Sequence, residues 1–520
     1  MRIENSIKIA KAGIMSQVVT MLLGFLNRIV FIKFLGSDYL GFSGLFTSIL
    51  SMLALTELGL GSAIVYNLYK PIYDEDKEQI GSLVNYYKKI YIGLGMFVLI
   101  IGLLFVPFLQ VFIKDISELQ FSLNYIRFIY LLSLLESVSS YLFVYRTTLL
   151  TVSQKEYIIT NINTISNIIL AIVRIFILVF TNNYVIYLIA GLIFRIGANY
   201  IASRYAIKHF PYIREKKYRC VQIDKKQKRT VLQNAGNLSV HTLSAYIVNS
   251  TDSLIISTFV GIAELGMFSN YNLIFSTIRN FISNIVGSIQ APLGDLVTSG
   301  NKHRVREILN ITTHSFYILS SFSAISLAAL SSTFIELLFG QQYVMGTNMV
   351  LICSINVFVW TMIRPIWKLS AVTGLFKDDR INAIIEAVSN AVISIIAVQF
   401  YGITGTFFGT LCSYIFAFVL KTRLQFRKYF ATSSKKYFIR LCQYTFLFVI
   451  ELALVLYLTN KINEIMQSNI GGFFINCIIC VIVPNTANFY IYKGTNENRY
   501  LMDLIQSKIL KNNKKCWKRE

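Results

Sequence analysis

Residues 97–109 read FVLIIGLLFVPFL, an apolar run that only Gly102 and Pro107 interrupt. Together with the residues before it, from Tyr91 onward, this run is long enough to cross about 30 Å of hydrocarbon as a helix. Apolar stretches of similar length recur from one end of the chain to the other. Of 520 residues, 55% are hydrophobic and 14% are charged, a composition that is rare in soluble proteins. The sequence therefore predicts an all-α integral membrane protein.

The apolar stretches predict about fourteen transmembrane helices. The predicted spans are 10–35, 41–66, 88–109, 121–143, 158–181, 183–203, 232–258, 267–291, 310–331, 346–367, 382–400, 402–420, 438–458 and 470–492. The first apolar segment is too long for a cleavable signal peptide, and no small-residue cleavage site follows it. We therefore interpret this segment as the first transmembrane helix.

Basic residues alternate along the chain with the predicted spans. The segments between alternate spans are rich in Lys and Arg, above all 204–229, whereas the others, such as 36–40 and 259–266, are short and poor in both. Positive charge is retained on the cytoplasmic side of membranes, so both termini are predicted to be cytoplasmic. The same distribution accounts for the net charge of +23 without a nucleic-acid partner.

An internal repeat links two parts of the chain. Residues 34–41 read FLGSDYLG and residues 259–266 read FVGIAELG, so Phe, Gly, Leu and Gly recur at the same spacing. Each copy follows an outward-going span, and six predicted spans separate the copies, as in transporters with parallel repeats. The predicted organisation is a six-helix lobe at 1–203, a basic cytoplasmic linker at 204–231, a second six-helix lobe at 232–422 related to the first by a pseudo-two-fold repeat, and two further transmembrane helices with a basic tail at 423–520.

Charged side chains within the spans are the candidates for function. A charge at bilayer depth costs about 2.5–3.5 kcal/mol on insertion scales, so it usually faces a wet cavity or another charge. Arg28 and Asp252 precede the first repeat glycines by eight and nine residues, about 12 Å of helix. Arg174 reaches a similar depth, so we expect a polar cavity between the lobes. The guanidinium group matches phosphate geometry, which favours an anionic substrate.

The tenth predicted span ends in WTMIRPIWKLS, residues 360–370. Pro365 is expected to kink this helix and to leave Arg364 and Lys368 near the inner surface. These cations are interpreted either as snorkelling side chains in an interfacial aromatic belt or as a site that captures a phosphate headgroup. Glu386, close to the end of its own span, is likewise interpreted either as a snorkelling side chain or as one that faces a wet cavity or another charge.

The sequence contains no GxxxxGK[ST], HExxH or GxSxG motif. No constellation for nucleophilic or metal catalysis is recognised, and the protein is predicted not to be an enzyme. No cofactor is expected, apart from a coupling ion, H⁺ or Na⁺.

Three stretches carry a resemblance to a known family. Residues 31–71, FIKFLGSDYLGFSGLFTSILSMLALTELGLGSAIVYNLYKP, resemble the first helical hairpin of bacterial polysaccharide-repeat flippases of the Wzx type. Residues 249–271 and 374–390 resemble the seventh helix with its outer loop and the start of the eleventh helix. These flippases belong to the multidrug/oligosaccharidyl-lipid/polysaccharide exporter superfamily.

The resemblance implies two six-helix lobes and alternating access. It also implies a substrate of undecaprenyl-diphosphate-linked oligosaccharide, moved outward across the bacterial cytoplasmic membrane to supply a surface polysaccharide such as capsule or exopolysaccharide. Coupling to an ion gradient is carried over to Glu57 in ELGLG and Asp252 in STDS. Arg28, Arg174, Arg364 and Lys368 are the predicted substrate-binding residues. The expected partners are the lipid-linked oligosaccharide, membrane lipid and a polysaccharide polymerase, and the chain is expected to be a monomer.

Three alternatives remain at this stage. A multidrug or cation antiporter of the same superfamily has the same fold, but its lumen is expected to be rich in carboxylates. A lipid II flippase carries out the same transport with a smaller glycan, and the sequence separates it poorly. A membrane-bound oligosaccharide polymerase usually has a large outer loop with catalytic residues, whereas every predicted outer segment here is short.

Overall fold

The computed structural model describes residues 2–54, 60–114, 120–215, 218, 250–466 and 469–503. Within these ranges the chain is helical and contains no strand, which confirms the predicted all-α class. The main α-helices are α1 Arg2–Leu35, α2 Ser37–Leu53, α3 Leu60–Tyr73, α4 Lys77–Phe105, α5 Leu123–Ser139, α6 Val144–Val152, α7 Glu156–Thr181, α8 Tyr184–His209, α9 Ile262–Thr298, α10 Lys302–Phe339, α11 Thr347–Met362, α12 Arg364–Thr373, α13 Phe376–Tyr401, α14 Ile403–Leu424, α15 Lys435–Ile465 and α16 Asn469–Tyr492.

Ten helical segments of the described chain are long and apolar enough to cross a membrane, or eleven if the bent pair α5 and α6 forms one span. Large apolar side chains remain exposed along them, for example Ile193 at 61% and Phe446 at 67%. Such exposure is unfavourable in water and is expected where a helix faces lipid. The chain is therefore a multi-pass membrane protein.

The remaining predicted spans lie in less apolar or incompletely described segments. Span 41–66 corresponds to α2 and α3, which are separated by residues outside the described ranges. Most of span 232–258 also lies outside them. Span 267–291 lies in α9, where Asn, Ser and Thr residues lower the mean hydropathy. The number of fourteen spans therefore stays a prediction.

The chain divides into two compact units, Met1–Ser269 and Asn270–Glu520. Most of the predicted linker 204–231 lies outside the described residues. The predicted lobe and linker boundaries therefore stay predictions.

Stacked aromatic rings form the core of the second unit, among α10, α11 and α15. The ring centroids of Phe358 and Phe448 are 3.9 Å apart, and those of Tyr317 and Tyr444 are 4.4 Å apart. All four side chains are buried. Each such pair contributes about 0.5–1.5 kcal/mol beyond the area that it buries.

Helices α13 and α14 form a close hairpin in the second unit. At Gly405 a Cβ atom would lie 2.1 Å from the carbonyl oxygen of Ala397, so only glycine permits this approach. A buried ion pair between Lys421 and Asp379, with a 2.6 Å N–O distance, joins the same two helices. Because the two charges neutralise each other, burying them together in the hairpin costs less free energy than burying either charge alone.

The two copies of the repeat meet in the first unit. A Cβ atom on Gly41 would lie 2.1 Å from the carbonyl oxygen of Ile262, and a Cβ atom on Gly266 would lie 2.1 Å from that of Ser37. Gly36 adopts φ +83°, a conformation that other residues rarely adopt, at the break between α1 and α2. The glycines of the motif thus have two uses, one in the helix break and one in close helix packing.

The contact between the repeats has two-fold form. The 225-residue offset that aligns the motifs places Gly41 on Gly266 and Ser37 on Ile262. The contact of Gly41 with Ile262 therefore corresponds, residue for residue, to the contact of Gly266 with Ser37. In a self-complementary two-fold contact, residue i meets j while j meets i. The geometry supports a true repeat with pseudo-two-fold symmetry.

We expect Gly41→Ala and Gly266→Ala to destabilise the protein by about 1–3 kcal/mol each, because the added methyl group meets a backbone carbonyl that cannot move aside. The measurement is the midpoint of thermal unfolding in detergent, followed by loss of the monodisperse peak. Gly197→Ala is the matched control, since nothing lies within 4 Å of a Cβ atom at Gly197. Equal midpoints for all three variants would contradict the packing role of the repeat.

Candidate functional site

Arg28 of α1 forms a hydrogen bond next to the second copy of the repeat, in the first unit. Its Nη1 atom donates a hydrogen bond to Ser269 Oγ at 3.0 Å, and Ser269 Oγ donates to the carbonyl of Gly266 at 2.7 Å. Gly266 belongs to the second motif, and Arg28 precedes the first. The close helix approach at the glycines therefore also positions the guanidinium group.

Arg174 of α7 packs against α8. Its guanidinium carbon lies 4.2 Å from the ring centroid of Tyr187. A Cβ atom on Gly191, one turn further along α8, would lie 2.3 Å from Arg174 Nη2 and 3.3 Å from Glu136 Oε2. The absence of a side chain at Gly191 therefore makes room for the guanidinium group against the tyrosine ring.

Both arginines are close to one aromatic cluster of the first unit. Arg28 interacts electrostatically with the phenol groups of Tyr184 and Tyr187. Phe31 makes edge-to-face contacts with both tyrosines, at centroid distances of 5.8 and 5.2 Å. The structure thus brings Arg28 and Arg174 around Tyr187, a residue that the sequence did not single out. Tyr184 and Tyr187 at the start of α8 do not form a sequence pattern specific enough to identify Tyr187 as a functional residue.

In the second unit, Arg364 lies against two tryptophan rings. Its guanidinium carbon is 3.6 Å from the ring centroid of Trp360 and 4.5 Å from that of Trp367. The helix is interrupted at Ile363, between α11 and α12, with Pro365 in the first turn of α12. The predicted kink therefore occurs, and it separates the helices that carry the two tryptophans.

Lys368 shares a small cavity with Arg364. The cavity has a volume of about 10 Å³, and Leu293, Phe316 and Pro365 are among its other lining residues. Lys368 Nζ donates a hydrogen bond of 2.8 Å to Gln290 Oε1. The spacing of four residues on one helix places both cations on the same face of α12.

Carboxylates lie near two of the arginines in these spans, Glu136 near Arg174 and Glu386 near Arg364, but not within ion-pair distance in the described chain. Arg28, Arg174, Arg279 and Arg364 form no ion pair with any residue in the described part of the chain. The Nε atoms of the last three are buried without a hydrogen-bond acceptor. Buried charges in proteins are usually paired, because an uncompensated charge is costly at low dielectric. The arrangement is suited to an anionic ligand that supplies several oxygen atoms.

The structure describes only one of the two predicted coupling residues, Asp252. Glu57 lies outside the described residues. Asp252 is partly buried in the helical residues 250–255, and the π-helical turn Ile256–Val260 follows directly. Such turns are frequent at functional sites in helices, but the coupling role of both residues stays a prediction.

Two other carboxylates in the spans are buried. Snorkelling is one of the two interpretations of Glu386, but this side chain is only 5% exposed in α13, which does not fit that interpretation. The cause is packing, because α14 covers this face of α13 and brings the Lys421–Asp379 pair nearby. Glu451 accepts a 2.5 Å hydrogen bond from Ser321 Oγ, which braces α15 against α10.

Solved structures of transporters share this fold. The structure described as lipid II flippase MurJ in an inward closed conformation matches with a TM-score of 0.66 and 14% sequence identity, over 93% of this chain and 98% of that chain. An inward-facing multidrug resistance MATE family transporter of the MOP superfamily matches with a TM-score of 0.61 and 13% identity, over 78% and 93% of the two chains. A MATE transporter from Vibrio cholerae, VcmN, matches with a TM-score of 0.54 and 14% identity, over 81% and 96%.

No curated protein sequence matches this chain significantly. At identities this low the structural likeness establishes the fold alone, which is that of membrane transporters and flippases. The family described as "Polysaccharide biosynthesis protein" matches residues 11–293, more than half of the chain. The match spans α1 to α9, and therefore includes Arg28, Arg174 and both copies of the repeat. The chain belongs to this polysaccharide biosynthesis family.

Proposed function

We propose that the protein is a flippase that moves undecaprenyl-diphosphate-linked oligosaccharide from the cytoplasmic to the outer leaflet of a bacterial cytoplasmic membrane. Membership of a polysaccharide biosynthesis family and a transporter fold support this proposal. The observation that carries it is the set of arginines in membrane-spanning helices that lack carboxylate partners in the described chain. A diphosphate supplies the missing counter-charge.

The chemistry of arginine favours a diphosphate over a cationic drug. Guanidinium groups remain charged at any physiological pH and donate two parallel hydrogen bonds to phosphate oxygens. A cation-binding lumen would require unpaired carboxylates at the same positions. In the second unit, Lys421 neutralises Asp379, and Ser321 engages Glu451. Glu386 is a buried carboxylate near Arg364, but it forms no ion pair with Arg364 or Lys368 in the described chain, so both cations remain open to an anionic ligand.

Each unit contributes a phosphate-binding group in this proposal. Arg28 and Arg174 hold the diphosphate in the first unit, while Arg364 and Lys368 capture it near the cytoplasmic surface in the second. Aromatic faces beside the arginines accept the apolar faces of sugar rings. The prenyl chain stays in lipid, because its transfer into a polar site would gain no free energy.

Transport is proposed to proceed by alternating access, driven by an ion gradient. Binding of H⁺ or Na⁺ at Glu57 or Asp252 would shift the balance between the two states, since a ligand shifts an equilibrium only through its different affinities for them. No other cofactor is invoked. The chain is proposed to act as a monomer with cytoplasmic termini, without covalent chemistry of its own, and to deliver its product to a polysaccharide polymerase that builds capsule or exopolysaccharide.

A lipid II flippase is the second candidate, favoured by the structural likeness to a protein of that description. Its substrate carries the same diphosphate and lipid but a smaller glycan. The arginines serve either substrate equally well, so the choice depends on the glycan.

The deciding experiment measures translocation of fluorescently labelled undecaprenyl-diphosphate oligosaccharide in proteoliposomes, with and without an imposed proton or sodium gradient. Gradient-stimulated transfer to the far leaflet is the expected result. Labelled lipid II in parallel vesicles separates the second candidate. Efflux of an organic cation without movement of either glycolipid would instead establish the antiporter alternative.

Arg28→Ala and Arg364→Ala are each expected to reduce translocation at least about tenfold, because a lost hydrogen bond to a charged group costs about 1.5–3 kcal/mol. The initial rate in proteoliposomes checks this, at equal amounts of reconstituted protein. Arg195→Ala is the matched control, since Arg195 lies in a span but is exposed and makes no ion pair in the described chain. Unchanged rates for the first two variants would remove the basis of the proposed substrate class.

Gly191→Ala is expected to slow translocation without unfolding the protein. The new methyl group displaces the flexible end of Arg174 from Tyr187, and no backbone atom is among its close contacts. Gly197→Ala in the same helix, with nothing within 4 Å, controls for the change in helix propensity. A normal rate together with a normal thermal midpoint would mean that the position of Arg174 is irrelevant to transport.

A further inference from the structure

A polar recess lies in the first unit, beside the aromatic cluster that contacts Arg28 and Arg174. It has a volume of about 540 Å³ and is lined by residues of α2, of the start of α5 and of the turn between α7 and α8. We call it the aromatic cleft, after four of its lining residues, Tyr39, Phe121, Tyr125 and Tyr184. The recess is shallow and largely open rather than enclosed.

The rings of the cleft are held in fixed relative orientations. Tyr39 lies edge-on to Phe121 at a centroid distance of 5.0 Å and is tilted against Tyr184 at 4.6 Å. Phe121 stacks with Tyr125 at 6.0 Å, and the hydroxyl groups of Tyr39 and Tyr125 are 3.2 Å apart. Three of these side chains remain partly exposed, and only Tyr184 is buried. The cleft therefore presents rigid aromatic surface to a ligand.

Uncharged polar groups surround the rings. Gln120, Asn182 and Asn183 line the cleft and are exposed. Asn183 Oδ1 caps α8 by accepting hydrogen bonds from two backbone N–H groups, so its Nδ2 group remains available as a donor. Asn182 adopts a left-handed conformation with φ +48° at the end of α7. These amides supply both donors and acceptors at the rim.

None of the described residues that line the cleft carries a charge. A phosphate would find no cation there, and a hydrocarbon chain would leave the amides without partners. A sugar ring satisfies both kinds of surface, because its C–H face packs on aromatic rings while its hydroxyl groups exchange hydrogen bonds with amides. The lining thus differs in chemistry from the arginine sites and complements them.

The cleft also adjoins the arginines. Tyr184, which lines it, is an electrostatic neighbour of Arg28 and stacks with Tyr187 at 5.9 Å, and Tyr187 in turn contacts Arg174. Aromatic side chains thus connect the arginines with the cleft. The charge pattern of the sequence predicts that segment 110–120 and the turn at Asn182 lie outside the membrane.

We propose that the aromatic cleft is a carbohydrate-binding subsite, which holds uncharged sugar residues of the glycan on the outer side while its diphosphate remains at Arg28 and Arg174. This inference rests on the proposed flippase function. The subsite draws the hydrophilic glycan out of the membrane before the phosphate is released.

The test is binding of free repeat-unit oligosaccharide to the full-length protein. The probe is prepared by mild acid hydrolysis of the lipid-linked pool of cells that make the protein, so that it carries neither phosphate nor lipid. Nanodiscs free of glycosidic detergent are used, because maltoside headgroups would compete. Titration calorimetry gives the affinity, and saturation-transfer NMR identifies the contacting sugars.

Phe121→Ala and Asn182→Gly are expected to weaken binding by about three- to tenfold each, through loss of a ring face or an amide. Glycine retains the left-handed conformation at position 182, so the second variant changes the side chain alone. Phe112→Ala, a partly buried phenylalanine that stacks on Phe105 and does not line the cleft, is the matched control.

Loss of binding in the two cleft variants, with normal binding in Phe112→Ala, supports the subsite. Undetectable binding to the unaltered protein, or equal affinities in all variants, overturns it even if lipid-linked oligosaccharide is translocated. Cleft-dependent binding without any translocation would retain the subsite and reject the flippase function. The two proposals therefore fail separately.

Discussion

Helices in a bilayer cannot rely on the hydrophobic effect for association, because lipid tails are as apolar as the side chains that they replace. Their association depends on close backbone approach, and here it occurs at glycines. Gly41 and Gly266 bring the repeat motifs into contact in the first unit, and Gly405 brings α13 against α14 in the second. The Arg28–Ser269 hydrogen bond lies beside the first contact, so the position of this cation follows from the packing of the backbone.

The low dielectric of the bilayer also determines which charged side chains are found in the spans. Lys421 and Asp379 are buried as a neutral pair, which ties two helices together. Arg174 and Arg364 are instead stabilised by tyrosine and tryptophan faces, which attract a cation without neutralising it. An aromatic face therefore keeps an arginine ordered while leaving its charge available to a ligand. The kind of partner, a carboxylate or an aromatic ring, therefore separates structural charges from candidate binding charges better than depth in the membrane does.

Local patterns carried most of what the sequence could predict. Hydropathy located the ten or eleven apolar helices, the repeat was visible as a spaced motif, and Pro365 marked the interruption between α11 and α12. Contacts between distant segments could not be read in this way. Ser269 lies 241 residues from Arg28, and nothing near Gly191 indicates that it makes room for Arg174. The burial of Glu386 depends on the neighbouring helix, so its distance from a helix end could not decide between the two interpretations.

The reciprocal contacts of Gly41 with Ile262 and of Gly266 with Ser37 have an evolutionary consequence. Contacts of this form are those that two identical subunits make across a homodimer axis. They are retained when the gene of such a dimer is duplicated and fused, since each half then keeps its own copy of the surface. Once fused, the halves are free to diverge everywhere except at that surface. The residues that face the lumen in one half can then change without matching changes in the other, which would allow one scaffold to bind different ligands.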